Sequence, residues 1–122
     1  PDALTIRLFW QQHQLPILPV AATIFSAYQP IIQLDPGEQA TFALALTVSD
    51  VLVLVDDEDA RVEARRLGLP VRGTLGILAA AYRQKLLDWA ETELLINEIA
   101  ARPDIWISAQ VCDQVLKSLR PQ

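Results

Sequence analysis

Val51-Leu52-Val53-Leu54-Val55-Asp56-Asp57-Glu58-Asp59 decides how the chain reads: five β-branched or leucine residues run straight into four acids. A continuous apolar run of this length suits a central parallel strand covered on both faces. The acids that end it open a helix through Ala60–Leu67, with Asp56 or Asp57 as N-cap and Gly68 as the stop. Just upstream, Asp35-Pro36-Gly37-Glu38 starts another helix. Asp is the N-cap, Pro takes the first helical position and Glu38 stands where a capping box needs it. Ala40, Phe42, Ala43, Leu44, Ala45 and Leu46 continue that helix almost without a polar face, which implies burial on most sides. Ser49-Asp50 breaks it before the strand.

Downstream, Leu69-Pro70-Val71 is long enough for a second short strand. Arg72-Gly73-Thr74 leads into a helix from Leu75 to about Leu86, with Leu75, Leu78, Ala79 and Tyr82 on one face. Asp88–Ala101 is a further helix with Leu94, Leu95, Glu98 and Ile99 at helical spacing. After a brief extended segment at Ile105-Trp106-Ile107, Ser108 caps a last helix over Ala109–Leu119, whose expected inner line is Val111, Val115 and Leu119. Near the start, Leu4–Phe9 reads as a short strand and Gln11–Gln14 as a solvated loop. Residues 17–32 stay open between buried strand and helix, with Pro30 ending either. Helices alternating with strands mean right-handed crossovers and an α/β fold, a parallel sheet flanked by helices.

Composition bounds the function. The 122 residues are 52% apolar and 20% charged, which excludes a disordered tail and suits one domain with a real core. The net charge of -5 and pI near 4.7 exclude a broad basic surface, so a nucleic acid must meet local arginines or a bound cation. Leu15–Ile32 comes closest to a membrane span, but Pro16, Pro19, Gln29 and Pro30 interrupt it, and no membrane association is expected. The one cysteine, Cys112, cannot form an internal disulfide and reads as a buried structural thiol. With no signal-peptide pattern, a reducing, cytoplasmic location is expected. Charge is unevenly spread: residues 1–34 hold only Asp2 and Arg7, and the other 23 charged side chains follow Leu34.

Polar sites of open α/β sheets lie at the carboxyl ends of parallel strands, where Asp56 and Asp57 fall. Adjacent carboxylates there repel each other, and either the helix dipole or a hard divalent cation relieves them. Taken alone, Asp56, Asp57 and Glu38 are read as helix caps before they are read as ligands. His13 has no Ser or Cys partner nearby, and Gly73-Thr74-Leu75-Gly76 lacks the lysine of a phosphate loop. Arg61, Arg65 and Arg66 either touch RNA phosphates or pair with Glu58 and Glu63 on a solvated face. Trp10, Trp89 and Trp106 read as core or interface anchors rather than base-stacking platforms.

Leu34-Asp35-Pro36-Gly37-Glu38-Gln39-Ala40, Val53-Leu54-Val55-Asp56-Asp57, Ala64-Arg65-Arg66-Leu67-Gly68-Leu69-Pro70-Val71 and Gly73-Thr74-Leu75-Gly76-Ile77-Leu78 follow one another in an order that resembles PIN-domain proteins. Trp106-Ile107-Ser108, followed by Val111 and Val115-Leu116, extends the resemblance, which covers residues 34–119 well and 1–33 poorly. It points to the prokaryotic branch of nucleases and toxins of toxin–antitoxin pairs. The resemblance implies a three-layer αβα fold and a Mg²⁺- or Mn²⁺-dependent endoribonuclease. Glu38 and Asp56 then match the catalytic, metal-holding acids, with Asp57 and Thr74 as auxiliaries and Arg61 and Arg65 as weak phosphate contacts. The family opens with a strand ending in Asp and a helix supplying a Glu. Neither is matched in residues 1–33, where Asp2 is the only carboxylate and precedes the expected strand. A truncated or rearranged N-terminal part and an incomplete acidic site are therefore expected. Residues 1–33 form a divergent apolar segment packed on the core or exchanged in a dimer, and 34–122 the PIN-like portion. The expected partners are RNA, an antitoxin protein and a second copy, with domain swapping as one form of the homodimer. The alternative reading is a catalytically inactive remnant that works as an oligomerising or protein-binding module.

Overall fold

The apolar run forms a strand, but a short one. A computed structural model, which describes residues 3–122, places β1 at Val53–Leu54 and pairs it in parallel with β2 at Val71–Arg72. Val53 stands opposite Val71 and Leu54 opposite Arg72, and the ladder continues through Val53 N–H to Pro70 O and Val55 N–H to Arg72 O. Val53 is buried, whereas Leu54 is 59% exposed, so the strand is covered on one face and not on both. Asp2 lies outside the described residues.

Among the described residues there are seven helices: α1 Ala3–Gln12, α2 Ala22–Ala27, α3 Pro36–Ala45, α4 Glu58–Arg66, α5 Thr74–Arg83, α6 Trp89–Ala101 and α7 Ala109–Leu119. The fold is mixed α/β, as expected. The described sheet has two strands, fewer than a three-layer αβα stack implies.

The helix starts follow local chemistry. Asp35 accepts from the Glu38 N–H at 2.7 Å while Glu38 reaches back to the Asp35 N–H, a complete capping box at α3. Asp57 is the N-cap of α4, accepting from Ala60 N–H at 2.9 Å. Asp88 and Glu91 form a second capping box at α6, and Ser108 caps α7. The stop at α4 is a Schellman turn: Gly68 N–H bonds Arg65 O and Leu69 N–H bonds Ala64 O. Gly68 sits at φ 75°, the left-handed region that favours glycine.

Several expectations fail, each for a local reason. Leu4–Phe9 is helical, within α1, not a strand. It has no strand beside it to share a ladder, and the helix places Phe9 and His13 four residues apart with rings stacked 4.0 Å between centroids. Gln11 and Gln12 belong to that helix, which ends where Gln14 turns to φ 49°. Residues 22–27 resolve to a short helix. On α6 the inner face is Thr92 and Ile96, with Leu94 exposed. On α7 it is Cys112, Leu116 and Leu119, one step round from Val111, which is exposed. Cys112 is buried as expected.

Two apolar clusters hold the molecule. Tyr28, Phe42, Ala43, Ala45, Val53, Ala60 and Ala64 form the first, between α3, α4 and β1. Leu75, Ala79, Ile96, Cys112, Leu116 and Leu119 form the second, between α5, α6 and α7, with Tyr82 and Trp89 packed edge to face against it. Helix α1 adds no buried residue to either.

Candidate functional site

β1 hands the chain to α4 through Asp56 and Asp57, and β2 hands it to α5 through Gly73 and Thr74. Parallel pairing brings these two exits side by side. Thr74 exploits this: its backbone N–H donates to Asp56 Oδ1 at 2.7 Å and its hydroxyl to Oδ2 at 2.6 Å. One residue thus holds both oxygens of the Asp56 carboxylate in a single orientation at the start of α5. Hydrogen bonds to an ionised acceptor are the stronger kind. Glycine at 73 makes this possible, because a Cβ there would meet Asp56 Oδ1 at 2.8 Å. Its φ of -94° is open to any residue, so space rather than backbone strain is the constraint.

Asp57 spends Oδ2 on the α4 cap. Glu38 lines a cleft of about 320 Å³ with Asp35, Gly37, Thr41, Phe42, Leu54 and Val55, which places it beside the residues that lead to Asp56. Partial burial raises the Glu38 carboxyl above its ordinary value. The charges of Asp35 and Asp57 push the same way, against the hydrogen bond from the Asp35 N–H.

The two arginines part company. Arg65 pairs with Glu58 at 3.5 Å on the solvated face. Arg61 turns toward the site, with Nη1 3.7 Å from the point that a Gly73 Cβ would occupy, the point Asp56 Oδ1 also flanks. Its Nε is buried without a hydrogen-bond partner.

Two acids that the sequence did not single out stand out. Asp104 lines a second cleft of about 460 Å³ together with Asp56, Asp57, Ile105, Trp106 and Ile107. Nothing in its spacing from Asp56 signals that proximity, which arises only when α6 returns the chain. Glu63, expected on a solvated face, is 1% exposed. It accepts from Tyr28 Oη at 2.7 Å and from Ile31 N–H at 3.2 Å, and both Nε and Nη2 of Arg66 pair with it. Glu63 fastens the chain before α3 onto α4 and lies apart from the β1 exit. Among the described residues no three His, Cys, Asp or Glu side chains converge as a metal-holding group.

A family model described as a PIN domain matches residues 1–121, and the chain belongs to that family. The match runs through residues 1–33 as well as the stretch from 34 onward. The family is nuclease-like, and its members generally use divalent metals. No curated protein and no solved structure matches the chain. Among the described residues no helix is long and apolar enough to cross a membrane.

Proposed function

We propose that the carboxyl end of β1 is the working end of a divalent-cation-dependent ribonuclease, with Glu38 and Asp56 as the carboxylates that hold Mg²⁺ or Mn²⁺. The observation that carries this reading is the two-point grip of Thr74 on Asp56. It fixes an exposed carboxylate at a strand end, in a family that is nuclease-like.

The donor set suits a hard cation in kind. Glu38 spends Oε2 on its cap and keeps Oε1, Asp57 keeps Oδ1, and each Asp56 oxygen accepts one bond and retains a lone pair. Mg²⁺ commonly takes one or two protein carboxylates and fills its remaining positions with water and substrate phosphate. Two carboxylates therefore suffice for an ion held jointly with RNA, though they bind it weakly alone. When bound, such an ion supplies an activated water and neutralises charge on the phosphodiester. Of the chain's own groups, Thr74 orients Asp56, Asp57 adds negative charge while capping α4, and Arg61 offers a cation to a phosphate. Arg65, paired with Glu58, has a lesser part.

Mn²⁺ titration of the ¹⁵N-labelled chain tests the location. Paramagnetic broadening at the amides of residues 37–38, 56–57 and 73–74, abolished by Asp56→Asn, is the outcome expected. Broadening elsewhere, or unchanged in the variant, contradicts it.

A second reading, association through α1, is favoured by one specific observation. Leu4, Ile6, Leu8, Phe9 and Trp10 are each more than a third exposed, as are Ile17 and Leu18, and Ile6, Trp10 and Ile17 line one cleft. Pairing with a second copy would cover it. Sedimentation at micromolar concentration should then give a dimer that Phe9→Ser with Trp10→Ser dissociates. A monomeric parent chain sinks this reading.

A further inference from the structure

The cleft beyond Asp56 and Asp57 has an opposite wall made by the loop between α6 and α7. Trp106 stands on that loop 98% exposed, so of the two roles expected of it, core or interface anchor, the core role fails. Trp89, by contrast, packs in the second cluster. An indole left in water forgoes the burial that large aromatic side chains usually contribute. Ile105 and Ile107 line the cleft with it but are half-buried, while Asp104 and Ser108 beside the ring are exposed. A protein-docking surface presents a contiguous apolar area of several hundred Å². Of the apolar side chains that line this cleft only Trp106 is fully exposed, and a single flat ring beside carboxylates matches the face of one base.

The loop is held on both sides of the ring. Arg102 donates to Asp104 through Nε at 2.9 Å and Nη2 at 2.5 Å, a fork that fixes the backbone before Trp106. Ser108 caps α7 immediately after it. The Arg102 guanidinium also cancels the charge of Asp104, leaving Asp56 and Asp57 as the uncompensated acids of the cleft. A ring presented on a pinned loop loses little conformational freedom when a ligand stacks on it.

We propose that Trp106 is a stacking platform for one nucleobase of single-stranded RNA, at the cleft that Asp56 and Asp57 also line. The choice of RNA rests on the ribonuclease reading above, but stacking needs neither cation nor cleavage. Single strands are specified because a duplex keeps its base faces covered, and proteins read it through its shape and backbone.

The test is a titration of the full chain with a mixed-sequence single-stranded RNA 12-mer in chelator, without divalent cation. The Trp106 indole N–H resonance, assigned from its absence in Trp106→Phe, is followed. The expected result is a shift of that resonance, binding at least about five-fold weaker in Trp106→Ala, and binding largely kept in Trp106→Phe. Because Trp106 is exposed, neither variant should unfold the chain, and circular dichroism checks this. A resonance that does not move, a Trp106→Ala chain that binds as the parent does, or an equal shift with duplex RNA overturns the proposal. So does a Trp106→Ala chain altered only in its self-association. Repeating the titration on Asp56→Asn separates the two readings. A persisting Trp106 shift supports the platform even if the cation site fails, and its loss in that variant overturns it.

Discussion

Asp56, Thr74 and Gly73 act as one unit: a carboxylate, the residue that grips both its oxygens, and the missing Cβ that lets it approach. Resemblance to the family picked out Asp56 and Thr74, whereas spacing alone left Asp56 among ordinary helix caps. It is Asp57 that does the capping. Glu63 was not legible, because a glutamate between arginines on a helix looks solvated until the tertiary fold brings Tyr28 and Ile31 over it. Its carboxyl is held down at about 2 from a usual 4.5, chiefly by the Arg66 hydrogen bonds, then by those from Tyr28 and Ile31, with burial opposing. A carboxylate depressed in the folded state stabilises the fold above its unfolded value. That contribution drains away as pH falls from about 4.5 toward 2. Glu63→Gln should therefore cost about 1 to 3 kcal/mol at neutral pH, the cost of weakening buried hydrogen bonds. Urea unfolding from pH 7 to 2 checks it: the gap between parent and variant should close in acid, and parallel curves would contradict the latch. Burial and the Glu63 carboxylate also raise the Tyr28 hydroxyl, so Tyr28 stays protonated and keeps donating at neutral pH.

Elements with strong end signals were the legible ones. The Asp-Pro-Gly-Glu start, the Asp57 cap, the Gly68 stop and the Ser108 cap are short-range chemistry, and each helix begins or ends within a residue or two of them. Faces were harder. On α7 Leu119 turns inward as expected and Val115 packs half-buried against the second cluster, but Cys112 faces in where Val111 was expected, because both are apolar and only packing decides. The strand was overestimated for the same reason: an apolar run reports hydrophobicity, while ladder length depends on the partner, and β2 offers two residues. Helix α1 was misread because Thr5, Ile6 and Phe9 suit a strand, whereas the absence of a neighbouring strand leaves local helical bonds to satisfy the backbone.

At the scale of the molecule, the first apolar cluster takes in the β1–β2 pair and the second lies among α5, α6 and α7. The strand exits carry the acids, and α1 adds no buried residue to either cluster. The family was legible in the order of segments along the chain. The neighbourhood of Asp56 was not, since Asp104 and Trp106 reach it only through the return of α6 and α7. A chain of net charge -5 repels a polyanion, so it meets RNA through local contacts, and bringing a phosphodiester to the acids at the end of β1 depends on a cation. Cleavage should then be steeply cation-dependent and should fail without the carboxylate that Thr74 holds. The direct measurement is the rate at which the full chain cleaves a single-stranded RNA across a range of Mn²⁺ concentration, beside an Asp56→Asn chain of matched thermal stability. Cation-dependent cleavage that falls on the order of 100-fold in the variant is the result predicted. Cleavage that is equal in the two chains, or indifferent to the cation, contradicts a ribonuclease site at the end of β1.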